Sequence, residues 1–187
     1  MTRAAPRDRL LVNVATLLGE PGGSARDLAF NDLELDLGDD LTLAEPADAR
    51  FRLTRTNRGL LVDGDVHATL AETCSRCLRP IVVEVAQEID EEALQSVELT
   101  TGARIDHADE PEVARISDHH EIDLEPFVRE AIQLAAPIAP LCRPDCPGLC
   151  VVCGEELGSG PHDHGEDPID PRLEALRAFH VATDDED

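Results

Sequence analysis

The chain has 187 residues, which is the length of one ordinary domain with a tail. It carries 40 acidic side chains against 16 arginines and no lysine, and its formal net charge is −24. So large a negative charge opposes non-specific binding to nucleic-acid backbones and to anionic membranes, and it favours a basic partner.

The sequence also has the character of a cytoplasmic protein. The segment from Met1 to Leu18 has three arginines but no long apolar run with a small-residue cleavage site, and no eighteen uncharged apolar residues follow one another. We therefore expect a cytoplasmic location and no membrane partner. In that reducing compartment the six cysteines should serve metal binding or redox chemistry rather than a disulfide framework.

The first elements in chain order are predicted strands. Leu10–Leu17 is partly β-branched and is followed by a Gly/Pro cluster, so we predict a strand and then a loop. Leu28–Leu43 carries leucines at a period near two, which indicates an edge strand. The alternation in Ala49–Thr56, the turn signal that follows it and the resumption at Leu60–Leu70 predict a hairpin.

The next elements lead from the sheet to a helix. Ile81–Ile89 predicts a third strand beside the hairpin. Glu91–Glu112 is acidic and without sustained periodicity, so we predict a connection there, with either a short helix at its start or a mobile insertion. Glu125–Ala136 has the apolar spacing of an amphipathic helix, with Asp123 placed to cap it and Pro137 to end it. This helix should cover the sheet.

The last segments divide into a tail and a terminal helix. Pro137–Asp170 is rich in Pro, Gly and Cys and cannot build a hydrophobic core, so it needs a cross-link to hold it together. Pro171–Val181 follows Asp170 as N-cap and predicts a helix, before the acidic end at Asp184–Asp187. We therefore predict an α+β sheet domain (1–136), a Cys/His-rich zinc-binding segment (137–170) and a C-terminal helix with an acidic end (171–187).

The predicted architecture of the first domain is a twisted, mainly antiparallel sheet, open or partly closed into a barrel, and covered by helices. Its strand order does not follow from the sequence. No phosphate-cradling glycine loop, nucleophile elbow or zinc-protease helix is found in the sequence, so we expect no enzyme.

Cysteines and histidines form two groups with metal-ligand spacing. Two cysteines separated by two residues can direct both sulfurs at one ion, and a second pair reached across a loop completes the tetrahedron that zinc prefers. The preferred site has a short intervening loop and consists of Cys150, Cys153, His162 and His164. The second candidate site consists of Cys74, Cys77, Cys142 and Cys146. We expect one or two structural zinc ions, which would hold the tail together.

Two other interpretations of the cysteines stay open. They can be small buried hydrophobic residues, particularly Cys142 and Cys146. Cys74 and Cys77 can also form a reversible dithiol, although a thioredoxin-like pair lies at a helix N-terminus and here the pair leads into a β-rich segment.

Several motifs together resemble one known family. They are Glu72–Pro80, Ile122–Leu124, Leu141–Cys150, Cys153-Gly154 and Asp167–Leu173. In this order they resemble the YceD-like family over nearly the whole chain. The resemblance implies a bacterial cytoplasmic protein that supports accumulation or processing of the 23S RNA of the large ribosomal subunit, without catalytic activity. His162 and His164 stand where many members carry Cys-x-Cys, which favours metal binding over a disulfide because imidazole can replace thiolate on zinc.

The charge distribution suggests two kinds of partner. Residues 50–79 contain six arginines and three acidic residues, so this hairpin is locally basic in an acidic chain. The candidate contact residues are Arg50, Arg52, Arg55, Arg58, Arg76 and Arg79. They can bind large-subunit rRNA through its phosphates, although the absence of Tyr and Trp removes the best stacking residues. Alternatively, the acidic remainder binds a basic ribosomal protein, which we slightly prefer. A solvated arginine face is the third interpretation.

Overall fold

The computed structural model describes residues 10–38 and 41–160, together with His164 and Arg172. In chain order these residues form strand β1 (Leu11–Asn13), helix α1 (Ala15–Leu18), strands β2 (Ala25–Leu33), β3 (Leu43–Arg55), β4 (Gly59–Thr73), β5 (Pro80–Gln95), β6 (Ala114–Ile116) and β7 (Glu121–Asp123), helix α2 (Glu125–Ala135) and a 3-10 turn (Leu157–Ser159). The predicted terminal helix, apart from Arg172, and the acidic end lie outside the described residues.

A five-stranded sheet is the centre of the fold. Its order is β2-β3-β4-β5-β6, and a separate two-stranded sheet pairs β1 with β7. Neighbouring strands of the larger sheet are antiparallel except β5 and β6, which run parallel. Strands β4 and β5 pair along their whole length, from Gly59↔Leu94 to Thr73↔Pro80. The predicted hairpin and its third antiparallel strand are therefore confirmed.

The apolar side chains of the strands lie on one face of the sheet. Alternation in β3 and β4 buries residues such as Leu53, Val62 and Val66 while their sequence neighbours are at least partly exposed. Buried residues from α1, α2 and the segment between β2 and β3 pack in the same cluster. The opposite face, called here the outer face, carries mainly charged side chains, so the sheet separates one core from one solvated surface.

Helix α2 begins and ends where its sequence predicts. The backbone N–H of Glu125 donates to the Asp123 carboxylate at 3.0 Å, which satisfies one of the first helical donors. Ala136, which precedes Pro137, has an extended backbone at φ −63° and ψ 129°, as a residue before proline prefers. Phe127 and Ile132 lie on the buried stripe and contribute to the core. Of the predicted helical cover, α2 and the single turn of α1 are present in the described residues.

Three sequence predictions differ from the structure. Leu10–Leu17 is not one strand, because Val14, Leu17 and Leu18 are buried at helical spacing and α1 replaces its second half. The predicted edge strand is at the edge, but β2 ends at Leu33, just after a register shift between Phe30 and Leu33. The acidic connection starts later than predicted, because residues 91–95 continue β5 through pairing with β4.

The sheet is also open rather than closed into a barrel. Its outer strands are β2 and β6, and they do not pair with each other in the described part of the chain. Strand β6 has only three residues, too few to bring the sheet around to β2. Pairing of β4 with β5 continues to Thr73↔Pro80, beyond the last β3–β4 pair at Leu43↔Leu70, and the turn of this hairpin carries the first pair of cysteines.

Candidate metal centre

The first pair of cysteines lies in the turn that joins β4 to β5, called here the first knuckle (residues 74–79). The backbone N–H of Cys74 donates to the carbonyl of Arg79 at 2.9 Å, and that of Leu78 donates to the carbonyl of Cys74 at 2.9 Å. These bonds continue the hairpin beyond its last strand pair and fold the turn tightly. The tight turn requires a left-handed backbone at Leu78, with φ +57°, a conformation that glycine adopts more readily. Cys74 is fully buried and Cys77 is 7% exposed.

The tail folds back onto this turn after α2. The backbone N–H of Ser75 donates to the carbonyl of Pro140 at 2.8 Å, and the Arg76 guanidinium donates to the carbonyl of Cys146 at 2.9 Å. The backbone N–H of Leu149 in turn donates to the carbonyl of Arg76 at 3.2 Å. These contacts bring residues distant in sequence to one place, called here the four-cysteine site: Cys74, Cys77, Cys142 and Cys146.

The sulfur positions in this site match those of a tetrahedral metal centre. Cys74 Sγ lies 3.8 Å from Cys146 Sγ, and Cys77 Sγ lies 3.7 Å from Cys142 Sγ. All four sulfurs lie within 4.8 Å of one another. A zinc ion bonded to four thiolates at about 2.3 Å sets neighbouring sulfurs about 3.8 Å apart, whereas a disulfide sets them about 2.05 Å apart. The donor set therefore fits a thiolate-preferring ion such as zinc.

The surroundings of the sulfurs also suit a bound cation. The backbone N–H groups of Cys77 and Cys142 lower the pKa of the Cys74 thiol to about 6, which favours its thiolate form. Burial and the neighbouring thiols raise the pKa of Cys142 to about 12, so a second thiolate is unfavourable there without a compensating charge. A divalent ion would supply that charge, and the partly buried Ile81, Leu141 and Leu149 pack around the site.

A second cluster has the same local fold. Residues 150–155, called here the second knuckle, repeat the hydrogen bonds of the first: Cys150 N–H donates to the Glu155 carbonyl at 2.7 Å, and Gly154 N–H donates to the Cys150 carbonyl at 2.8 Å. Gly154 occupies the left-handed position at φ +75°. Ligand atoms of Cys150, Cys153 and His164 lie within 4.8 Å of one another. The structure thus brings together three of the four residues of the preferred site, and His162 lies outside the described residues.

Among the described residues, which include all six cysteines, no disulfide is present. The first knuckle is a turn between two strands, so no helix N-terminus is available to activate Cys74 and Cys77 as a thioredoxin-like pair. Each of these two cysteines has a sulfur contact with the tail, Cys74 with Cys146 and Cys77 with Cys142. The geometry suits shared metal ligation better than a local dithiol.

Comparison with known proteins identifies the family. Residues 62–180 match the family described as "Large ribosomal RNA subunit accumulation protein YceD". The chain belongs to the YceD family. An uncharacterized protein of Mycobacterium tuberculosis is 38% identical over 129 residues, which cover 69% of this chain and 59% of that protein. An uncharacterized protein of Mycobacterium leprae is 33% identical over 129 residues, covering 67% and 55% of the two chains.

The chain thus spans less than two thirds of the length of these mycobacterial relatives. No solved structure matches it significantly. The match begins within β4 and runs through both knuckles, so the candidate metal ligands of both clusters belong to the region shared with the YceD family. Within the described residues, no helix has the length and apolarity needed to cross a membrane.

The six arginines suggested as a contact surface do not lie together in this YceD-family chain. Arg58 pairs with Glu110, and Arg79 pairs with Glu156 at 2.8 Å. Arg76 binds the tail, as described above. Arg55 points into the fold and donates to the carbonyls of Leu18, Thr56 and Gly59. This leaves Arg50 and Arg52 on the outer face of β3.

Acidic residues surround these two arginines, and the sequence analysis missed this arrangement. Strand pairing places side chains in two rows across the outer face: Asp27, Arg52, Asp63 and Asp90 in one, and Ala29, Arg50, Asp65 and Glu88 in the other. A groove of about 690 Å³ lies between the rows. Five carboxylates and two guanidinium groups therefore border it. The alternating acids of β4 and β5 were visible in the sequence, but their pairing depended on the strand register.

The structure predicts different roles for Arg55 and Arg52 in stability. Replacing Arg55 by methionine should lower the free energy of unfolding by about 1–3 kcal/mol, because the part-buried carbonyls of Leu18 and Thr56 lose the guanidinium as donor. Arg52 is exposed and pairs with Asp27 at 2.9 Å, so Arg52→Met should cost less than about 1 kcal/mol. Urea denaturation followed by circular dichroism measures both. Equal losses would contradict a structural role specific to Arg55.

Proposed function

We propose that this protein is a non-enzymatic, cytoplasmic accessory factor in assembly of the large ribosomal subunit, where it supports accumulation or processing of 23S rRNA. Family membership supports the ribosomal role. The finer proposal is that the outer face binds a basic ribosomal protein and that structural zinc at the two Cys/His clusters holds the tail on the sheet. The acidic groove is the observation that carries the choice of partner.

The charge around the groove favours a basic protein over RNA. A phosphate backbone approaching Arg50 or Arg52 would also approach the carboxylates of the neighbouring strands, and repulsion between like charges suppresses such a partner. Lysine and arginine side chains of a ribosomal protein would instead meet five carboxylates, and the two arginines would fix where along the groove its acidic residues can lie. Covering basic segments in this way would limit their premature contacts with RNA.

The proposed zinc ions have a structural task. The tail from residue 137 to 156 includes no helix or long strand, and a closed tetrahedral site can supply the folding free energy that its packing does not. The four-cysteine site joins this tail to the β4–β5 hairpin. Zinc would therefore keep the tail in place beside the sheet without taking part in a reaction.

The proposal about the partner is tested by separating the charge of the outer face from the total charge of the chain. The test variant is Asp63→Asn, Asp65→Asn, Glu88→Gln and Asp90→Asn together. A matched control removes four exposed carboxylates away from the groove: Asp109→Asn, Glu112→Gln, Asp118→Asn and Glu130→Gln. Both variants and the wild-type full chain are incubated at two salt concentrations with purified basic proteins of the large subunit, and separately with 23S rRNA.

We expect the wild type to bind a basic ribosomal protein at low salt and to lose affinity at high salt. The outer-face variant should bind about 10- to 100-fold more weakly, and the control should bind like the wild type. Equal loss in both variants would mean that total charge, not the groove, determines binding. Retention of rRNA that depends on Arg50 and Arg52 would instead support the RNA interpretation. Turnover of a disulfide substrate that is lost in Cys74→Ser would replace the proposal by a redox function.

A further inference from the structure

The two knuckles have the same hydrogen bonds but very different support. The first knuckle continues the longest strand pair of the sheet, and both of its cysteines are buried. The second knuckle is bounded by one isolated bridge between Leu149 and Glu156, and its residues 151–156 are exposed. Hydrogen bonding inside a loop of six residues offsets little of the entropy cost of ordering it. The folded conformation of the second knuckle therefore depends on its contacts with the rest of the protein.

The contacts that attach it reach the first knuckle. Leu149 N–H donates to the Arg76 carbonyl, and the Arg79 guanidinium pairs with the Glu156 carboxylate. Gly148, at φ +82°, packs so closely on Arg76 that a Cβ there would lie 3.2 Å from the Arg76 carbonyl oxygen. Arg76 and Arg79, which bond to residues on either side of the second knuckle, thus belong to the turn that carries Cys74 and Cys77.

The four-cysteine site controls whether this attachment can form. Cys142 and Cys146 immediately precede Gly148 and Leu149, and their sulfurs meet those of the first knuckle. An ion shared by these four cysteines would hold residues 142–146 against the hairpin. Gly148–Glu156 would then lie close enough to contact Arg76 and Arg79. The four-cysteine site depends less on the second knuckle, because strand pairing positions Cys74 and Cys77 whether or not the second knuckle is formed.

We propose that the two metal sites load in a fixed order: an ion at the four-cysteine site builds the second site, which consists of Cys150, Cys153 and His164. This proposal rests on the metal binding proposed above and adds a direction to it. It follows that loss of the first ion releases the second, whereas loss of the second leaves the first in place. The ion of the exposed second cluster is then the one that exchanges with its surroundings.

The order is tested with the full chain, stripped of metal under reducing conditions and titrated with cobalt(II) or ¹¹³Cd²⁺. A site with only thiolate ligands differs from one that also has imidazole ligands in its cobalt absorption bands and in its ¹¹³Cd chemical shift. The first equivalent should give the signal of the thiolate-only site, and the second equivalent should give the mixed signal. Simultaneous growth of both signals from the start would overturn the proposal.

Two variants test whether the second site depends on the first or merely has a lower affinity for the metal. Cys153→Ser should keep the thiolate-only signal with one equivalent bound, because the four-cysteine site does not need the second knuckle. Cys77→Ser should weaken binding at the second site, which it does not touch, by about 10- to 100-fold. Wild-type affinity of the second site in Cys77→Ser would show that the sites are independent and would refute the order.

Gly148→Val provides a variant that alters no ligand. Its side chain would clash at the Arg76 carbonyl and would be strained at φ +82°, so the second knuckle could not dock. We expect the thiolate-only signal to persist and the mixed signal to need about ten times more metal. Unchanged titration of both sites would count against the proposed attachment. A wild-type chain that binds no ion at all would instead remove the metal centre itself, and the order with it.

Discussion

Removing the metal with a chelator is expected to free the tail while the sheet stays folded. A closed thiolate site contributes on the order of 10 kcal/mol to the folding of the segment that it holds, far more than the few hydrogen bonds between tail and hairpin. The hydrophobic core of the sheet contains none of the six cysteines, so its packing does not depend on the ion.

Amide hydrogen exchange by NMR measures this directly. Ser75 N–H donates to the tail, Leu149 N–H donates to the first knuckle, and Cys150 N–H donates within the second knuckle. On chelation, these three amides should lose about 100-fold or more of their protection from exchange. The amides of Val62 and Val66, in the middle of β4, should keep theirs. Cys74→Ser should show the exchange pattern of the chelated wild type, and Ser75→Ala, an exposed position in the same turn, should behave like the metal-bound wild type. Full protection of the tail in metal-free protein would contradict a structural metal centre.

The second large effect is expected at Gly59, the first residue of β4. A Cβ at this position would lie 1.9 Å from the Ala93 carbonyl oxygen and 3.0 Å from Leu94 Cα, both in the backbone of β5. These atoms belong to the strand pairing and cannot move aside as a flexible side chain would. Gly59→Ala should therefore force the two strands apart and lower the free energy of unfolding by about 2–3 kcal/mol.

A matched control for this prediction is Gly22→Ala, because a Cβ at Gly22 would meet only the Asn57 side chain at 3.8 Å. Circular dichroism is the appropriate signal, since the chain has no Trp or Tyr for fluorescence. With a urea dependence of about 1–3 kcal/mol per molar, the Gly59→Ala midpoint should fall by about 1 M or more, and the Gly22→Ala midpoint should hardly change. Similar midpoints for the two variants would show that β4 and β5 can separate at this end without cost.

Elements with a strong local signal were predicted from the sequence. The alternation on both sides of Asn57–Gly59 predicted the β3–β4 hairpin, because side chains must face alternately inward and outward in a half-buried strand. Asp123 and Pro137 predicted the limits of α2 for reasons confined to a few residues of backbone. The Cys-x-x-Cys spacing likewise pointed to two tight turns, and both turns have the hydrogen bonds of a ligand-bearing knuckle.

The errors arose where distant residues decide the local structure. Residues 91–95 are acidic enough to look like a loop, yet pairing with β4 keeps them in a strand. Leu10–Leu17 has β-branched residues, yet burial of Val14, Leu17 and Leu18 against the core turns its second half into a helix. Local propensity is a weak preference in both segments, and a few kcal/mol of burial and pairing overcome it.

By itself, the sequence determined the net negative charge, the hairpin, the capped helix, the family and the types of ligand atoms that the chain can offer. Only the tertiary structure decided which ligands meet and which charges are neighbours. The sulfurs of Cys74 and Cys146, 72 positions apart, lie 3.8 Å from each other because the tail folds back onto the β4–β5 turn. The carboxylates of three strands border one groove because the sheet register aligns them. Spacing along a chain encodes local geometry, whereas contacts between distant segments depend on the packing of the whole fold.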